Sequence, residues 1–232
     1  MVVAGLLISN SAFLFSLYFL CELAQLLRKS QDRAGITCIM YCWNAASVFN
    51  ASVYTESLYS GFAVAGYYLF CKGNFLGSSV LLTIASAVRS NGVINAGLYA
   101  FFVLMKLHHS RAINVLITPI LRFGALSLMV LSPYIIYEAH VYGKYCISGG
   151  QPWCLQVLPR FYPYVQKMFW NVGFLKYYRF RQIPNFLLAA PSLYFTLKGH
   201  LADDTIKRGL HYPCKIDSFL CFQLFHASFL VS

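Results

Sequence analysis

Two charged residues stand alone inside long apolar stretches of this chain. Glu56 is the one charge between Ile36 and Cys71, and Arg89 the one charge between Phe75 and Met105. An ionisable group within a membrane-length apolar run is costly, so it is kept where it pairs with another charge or serves a site. Glu56 and Arg89 are partners by type. One reading is an ion pair that locks two helical hairpins together. The other is a polar cavity for an anionic or sugar ligand, with Tyr54 and Asn91 supplying neutral hydrogen bonds beside the two charges.

A second constellation lies further on, where Met168 to Arg179 mixes Phe, Trp and Tyr with Lys176 and Arg179. An aromatic belt at a membrane face with snorkelling cations has this composition. So does a pocket for a lipid phosphate, in which Lys176, Arg179 or Arg181 would neutralise the phosphate and Trp170 or Tyr177 would contact a sugar or prenyl unit. Cys146 and Cys154 flank a Gly-Gly-Gln-Pro turn in the same region, either as a local disulfide in an oxidising compartment or as two free thiols. Cys38 and Cys42, one helical turn apart in an apolar run, are read as packing residues. His108-His109 has no carboxylate or Cys near it in sequence, so neither a metal site nor a cofactor is expected. The glycosylation sequon at Asn50 is embedded in apolar sequence and is read as unused.

The elements that must position these residues belong to a membrane protein. Of 232 residues, 59% are hydrophobic and 11% charged, against about 45–50% and 25% in soluble domains. That excess of apolar surface exceeds what one soluble core hides, and it excludes disorder. The net charge of +11 would suggest nucleic acid in a soluble protein. Here the basic residues cluster between apolar runs, so they are read as topology signals and nucleic acid is not expected as a partner.

Val2 to Cys21 is uncharged and long enough to span the bilayer. The stretches 36–71 and 75–105 each exceed one crossing and are short for two. They are read as pairs of short helices meeting at the tips 54–57 and 89–92, where Thr55 or Ser57 can cap a helix and Gly92 can end one. One crossing plus an interfacial segment is the alternative for each. The pair reading puts the basic turns 28–35, Lys72 and 106–111 on the cytoplasmic side and both polar tips on the opposite side. A crossing from Pro119 to Tyr137, bent near Pro133, leads to a lumenal loop 141–182. Six basic residues and no acidic one occupy that loop. Ile183 to Leu197 crosses back. The fold class is therefore all-α and polytopic. Residues 1–198 are expected to form the membrane domain, and 199–232 a tail with a partial apolar segment.

Three blocks then resemble the GPI mannosyltransferase 2 family, which adds the second mannose of the glycosylphosphatidylinositol anchor. They are Asn44 to Leu58, Arg89-Ser-Asn-Gly92, and a long third block. The third comprises Pro152-Trp-Cys154, Trp170-Asn-Val-Gly-Phe-Leu-Lys-Tyr-Tyr178 and Gln182-Ile-Pro-Asn-Phe-Leu-Leu-Ala-Ala-Pro191. The resemblance implies a multi-pass endoplasmic reticulum enzyme of the GT-C glycosyltransferase class with short paired helices. It implies dolichyl-phosphate mannose as donor and a GPI precursor glycolipid as acceptor, joined by an α-1,6 linkage with inversion. From the polar tips and the aromatic, basic loop, Tyr54, Glu56, Arg89, Asn91, Trp170, Asn171, Lys176 and Tyr177 are expected to bind substrate. The family's catalytic acid lies in a His-Trp-Asp block, and no such tripeptide occurs in these residues. The chain is therefore read as an N-terminally and C-terminally truncated form that lacks this acid. A membrane partner subunit or lipid-binding protein that keeps the fold is the alternative reading.

Overall fold

The computed structural model describes residues 2–28, 31–43, 52–109, 113–147, 150–155 and 160–169, with isolated residues between 180 and 194. Seven α-helices are described: α1 (Val2–Arg28), α2 (Gln31–Cys42), α3 (Glu56–Cys71), α4 (Phe75–Val88), α5 (Ala96–His109), α6 (Ile113–Tyr145) and α7 (Phe161–Phe169). A 3-10 segment, Ser90–Asn95, joins α4 to α5. Among the described residues there is no strand. Two helical stretches, Val2–Leu27 and Ile117–Tyr145, are long and apolar enough to cross a membrane. The fold class is that of an all-α polytopic membrane protein; within 75–105 the helix ends just before Arg89, and within 36–71 α3 begins at Glu56, as the pair reading expects.

Residues 1–133 and 134–232 form two compact units. In the first, α3 packs between α1 and α4. Its small residues allow this. Ser57, Gly61 and Ala65 recur every fourth position and are buried, the pattern that lets membrane helices approach closely. A Cβ at Gly61 would stand 3.0 Å from the Phe15 ring and 3.3 Å from the Ala12 carbonyl, both on α1. On the α4 side, a Cβ at Gly66 would stand 2.7 Å from the Leu82 side chain. α1 and α3 run parallel, since Ser9 of α1 donates to the carbonyl of Ser52 before α3 and Glu22 of α1 accepts from Tyr68 near the end of α3.

Membrane helices gain little from apolar contact with one another, so hydrogen bonds contribute to their association. Ser16 of α1, Tyr41 of α2 and Ser60 of α3 form a closed ring of hydroxyls with sides of 2.6, 2.7 and 2.8 Å. Thr83 of α4 donates to the Met129 carbonyl of α6 at 3.0 Å. At the Lys72 end, Phe70, Phe75, Phe102 and Phe123 pack edge to face or tilted, with the Arg122 guanidinium over the Phe75 ring.

Three details differ from the sequence expectation. Cys38 is joined to Cys21 by a disulfide between α1 and α2 rather than simply packing, because the α1–α2 hairpin brings two apolar faces, each with one Cys, into contact. The crossing expected over 119–137 runs from Ile113 to Tyr145, so 141–145, placed in the loop by their polarity, are helical. Thr55 takes the N-cap position of α3 but makes no side-chain cap bond.

In the second unit, the Glu138 carboxylate accepts from the backbone N–H groups of Phe161 and Tyr162, at 2.7 and 2.9 Å. These are orphan donors at the start of α7, where the helix dipole also favours a negative charge. Cys146 and Cys154 form a disulfide. Trp153, next to it, is 3% exposed and packs edge-on against Phe161.

Candidate functional site

The first unit has a polar tip at the start of α3 and the end of α4. Glu56 opens α3. Arg89 closes α4 in an extended conformation, with its N–H still bonded to the Ala85 carbonyl. The helix stops here because Ser-Asn-Gly follows, three residues that favour turns over helix. Gly92 is buried and its N–H returns to the Arg89 carbonyl at 2.9 Å. A Cβ on Gly92 would land on the Ser86 backbone, so the 3-10 segment lies directly on the last turn of α4 because this residue has no side chain. That fold-back aims Arg89 at α3.

Arg89 Nη1 donates to Glu56 Oε1 in an ion pair whose side chains are 21% and 13% exposed. The second carboxylate oxygen, Oε2, has no hydrogen-bond partner. Asn95, at the end of the 3-10 segment, is fully buried. Its side-chain oxygen accepts from the Tyr67 hydroxyl of α3, and the Tyr59 hydroxyl lies beside the same carboxamide and near Arg89. Ser86 Oγ, in the last turn of α4, has no hydrogen-bond partner. A buried polar group without a partner costs about 1–3 kcal/mol. Beside the Arg89 guanidinium this tip keeps a carboxylate oxygen uncompensated, with the Tyr59 hydroxyl near. Such a set can hold a hydroxylated ligand, with the guanidinium available to an anionic group.

Of the residues expected at a site, Glu56 and Arg89 are brought into direct contact. Tyr54 precedes Glu56 by two residues and is 57% exposed at the rim. Asn91 lies in the 3-10 segment, half-buried. Trp170, Asn171, Lys176 and Tyr177 lie outside the described residues. Asn95, Ser86, Tyr59 and Tyr67 were not singled out by sequence. The signal for Asn95 was present, as a lone amide among Val93, Ile94, Ala96 and Gly97. A reading that follows charge passes over it.

The chain is 32% identical over 195 residues to GPI mannosyltransferase 2 of Schizosaccharomyces pombe, covering 81% of this chain and 42% of that protein. It is 30% identical over 210 residues to GPI alpha-1,6-mannosyltransferase 2 of Cricetulus griseus, covering 77% of this chain and 42% of that one. The human protein of the same name is 28% identical over 211 residues, with 77% and 42% covered. The chain thus spans about half the length, or slightly less, of the curated relatives it matches. No solved structure matches it. The family model described as mannosyltransferase (PIG-V) matches residues 1–202, and the chain belongs to that family.

Proposed function

We propose that these residues form part of an α-1,6-mannosyltransferase of the endoplasmic reticulum membrane. It transfers the second mannose of the GPI anchor from dolichyl-phosphate mannose to a GPI precursor glycolipid. The observation that carries this reading is the Glu56–Arg89 pair at the α3 and α4 tip, in a chain whose family is mannosyltransferase and whose relatives bear that name. An acceptor hydroxyl attacks the anomeric carbon, the bond to the phosphate oxygen breaks, and dolichyl phosphate leaves with the electron pair. Charge builds on the leaving phosphate, and a preorganised guanidinium stabilises it more in the transition state than in the ground state. Arg89 supplies that charge, and Lys176 supplies a second. Glu56 orients Arg89, and its free oxygen accepts from a sugar hydroxyl, with Tyr54 and Asn91 at the rim and Trp170, Asn171 and Tyr177 contacting the glycolipid. The base that takes the acceptor proton belongs to the His-Trp-Asp block of the family, a tripeptide not found among these 232 residues.

The test is complementation of cells that lack the second GPI mannosyltransferase. A full-length protein containing these residues is expected to restore surface GPI-anchored proteins. Arg89→Ala or Lys176→Ala within it is expected to lower mannose transfer at least tenfold at equal protein level. The 232-residue chain alone is expected to restore nothing. Restoration by that chain alone would overturn the assignment of the base. Unchanged rates in both variants would overturn the anion roles.

A further inference from the structure

The opposite end of the first unit carries a second polar feature that mannosyl transfer does not use. Where α1 and α3 end side by side, a pocket of about 260 Å³ is lined by Glu22, Gln25, Leu26, Tyr68 and Lys72. Glu22 and Lys72 carry opposite charges, yet they form no ion pair within 4 Å of each other. Tyr68 stands between them. Its hydroxyl donates to Glu22 Oε2 at 3.3 Å, and the Lys72 ammonium sits over its ring at 5.5 Å from the centroid. The tyrosine therefore holds both charges on the pocket wall while keeping them apart. A guest that carries one charge of each sign at the same spacing satisfies both.

We infer that the Glu22–Tyr68–Lys72 pocket binds the zwitterionic headgroup of a phospholipid with a primary amine, a phosphoethanolamine. Lys72 takes the phosphate through charge-assisted bonds, and the Glu22 carboxylate takes the ammonium. The volume suits it. A cavity of about 260 Å³ admits a polar group larger than a water, and a phosphoethanolamine group has eight non-hydrogen atoms. The place suits it as well. The pocket lies at the helix ends, in the last two turns of α1 before it closes at Arg28, next to apolar spanning sequence. A lipid whose chains lie along the helices has its headgroup at this level. Glu22 sets the preference. A trimethylated amine offers it no N–H, and an anionic headgroup without an amine leaves it facing a like charge.

The test uses the purified full chain in nanodiscs of phosphatidylcholine doped with phosphatidylethanolamine, or with phosphatidylglycerol, and reads retained lipid by native mass spectrometry. Phosphatidylethanolamine is expected to be retained over the other two. Glu22→Gln keeps the Tyr68 hydrogen bond and is expected to weaken that retention at least tenfold. Lys72→Gln is expected to do the same, and Lys72→Arg to preserve it. Soluble glycerophosphoethanolamine is expected to compete, which separates headgroup recognition from chain packing. The inference is overturned if retention is equal for all three lipids. It is overturned equally if phosphatidylglycerol binds best and responds to Lys72 alone, or if the soluble headgroup fails to compete. Lipid-free melting of each variant shows whether its fold is intact, and Lys72→Arg carries the test if a glutamine variant is not.

Discussion

At the residue scale, the Glu56–Arg89 pair combines structure and chemistry in one contact. Removing one partner of a buried pair leaves an uncompensated charge, at about 3–5 kcal/mol when burial is complete. With 13% and 21% of the two side chains exposed, the lower end of that range applies. Arg89→Met is therefore expected to lower the thermal midpoint clearly. Adding Glu56→Gln on the same background is expected to restore most of the stability, because no charge is then stranded. Transfer activity should stay low in both. A double variant as unstable as the single one would show that packing, rather than charge, dominates at this position. Asn95 makes a different point. It is as buried as any residue in the core, its Tyr67 partner is 28 positions away, and only the folded arrangement of α3 against the 3-10 segment shows why an amide is kept there.

At the element scale, close helix packing depends on residues with little or no side chain. Gly66 on α3 faces Leu82 on α4, and an added Cβ would meet that side chain at 2.7–2.8 Å. Gly66→Ala is expected to destabilise by about 1–3 kcal/mol through overpacking. Leu82→Ala should relieve part of this in the double variant, because the obstacle is the Cγ and Cδ2 of a side chain that the substitution removes. Gly92→Ala should admit no such rescue. Its Cβ would meet the Ser86 backbone, which cannot rotate away, so the 3-10 segment must shift and Arg89 with it. The expected outcome is loss of mannose transfer in the full-length protein, out of proportion to the loss of stability. Melting and transfer measured side by side on the same preparations check this. The breaks beside Glu56 and at Arg89 were legible because a lone charge stands with turn-forming or capping residues at each, in the tips 54–57 and 89–92. The Cys21–Cys38 bridge was not legible, since a spacing of 17 residues specifies no contact until two helices form a hairpin.

At the scale of the whole molecule, the charges and the helix directions make one claim about sidedness. Lys72 and Arg122 lie against the rings of Tyr68 and Phe75 at one end of the first unit, and α1 and α3 run parallel toward it. Tyr54 and Lys72 lie at opposite ends of α3, a helix of 16 residues or about 24 Å. With Cys42, Cys71, Cys214 and Cys221 replaced by alanine, Lys72→Cys in sealed microsomes is expected to react with an impermeant maleimide, and Tyr54→Cys only after permeabilisation. Labelling of both from one side would overturn the orientation. The membrane class, the helical fold, the division of each apolar stretch at its charge and the family were all contained in the residues themselves. These follow from composition and local preference, because hydrocarbon tolerates no unpaired backbone and few charges. Folding decided which distant groups meet: that Glu56 accepts from Arg89, that Asn95 accepts from Tyr67, and that Glu22 and Lys72 share a pocket without pairing. Those contacts are set by the parallel run of α1 and α3 and by the fold-back at Gly92. Both depend on packing between segments far apart in the chain, which no local pattern encodes.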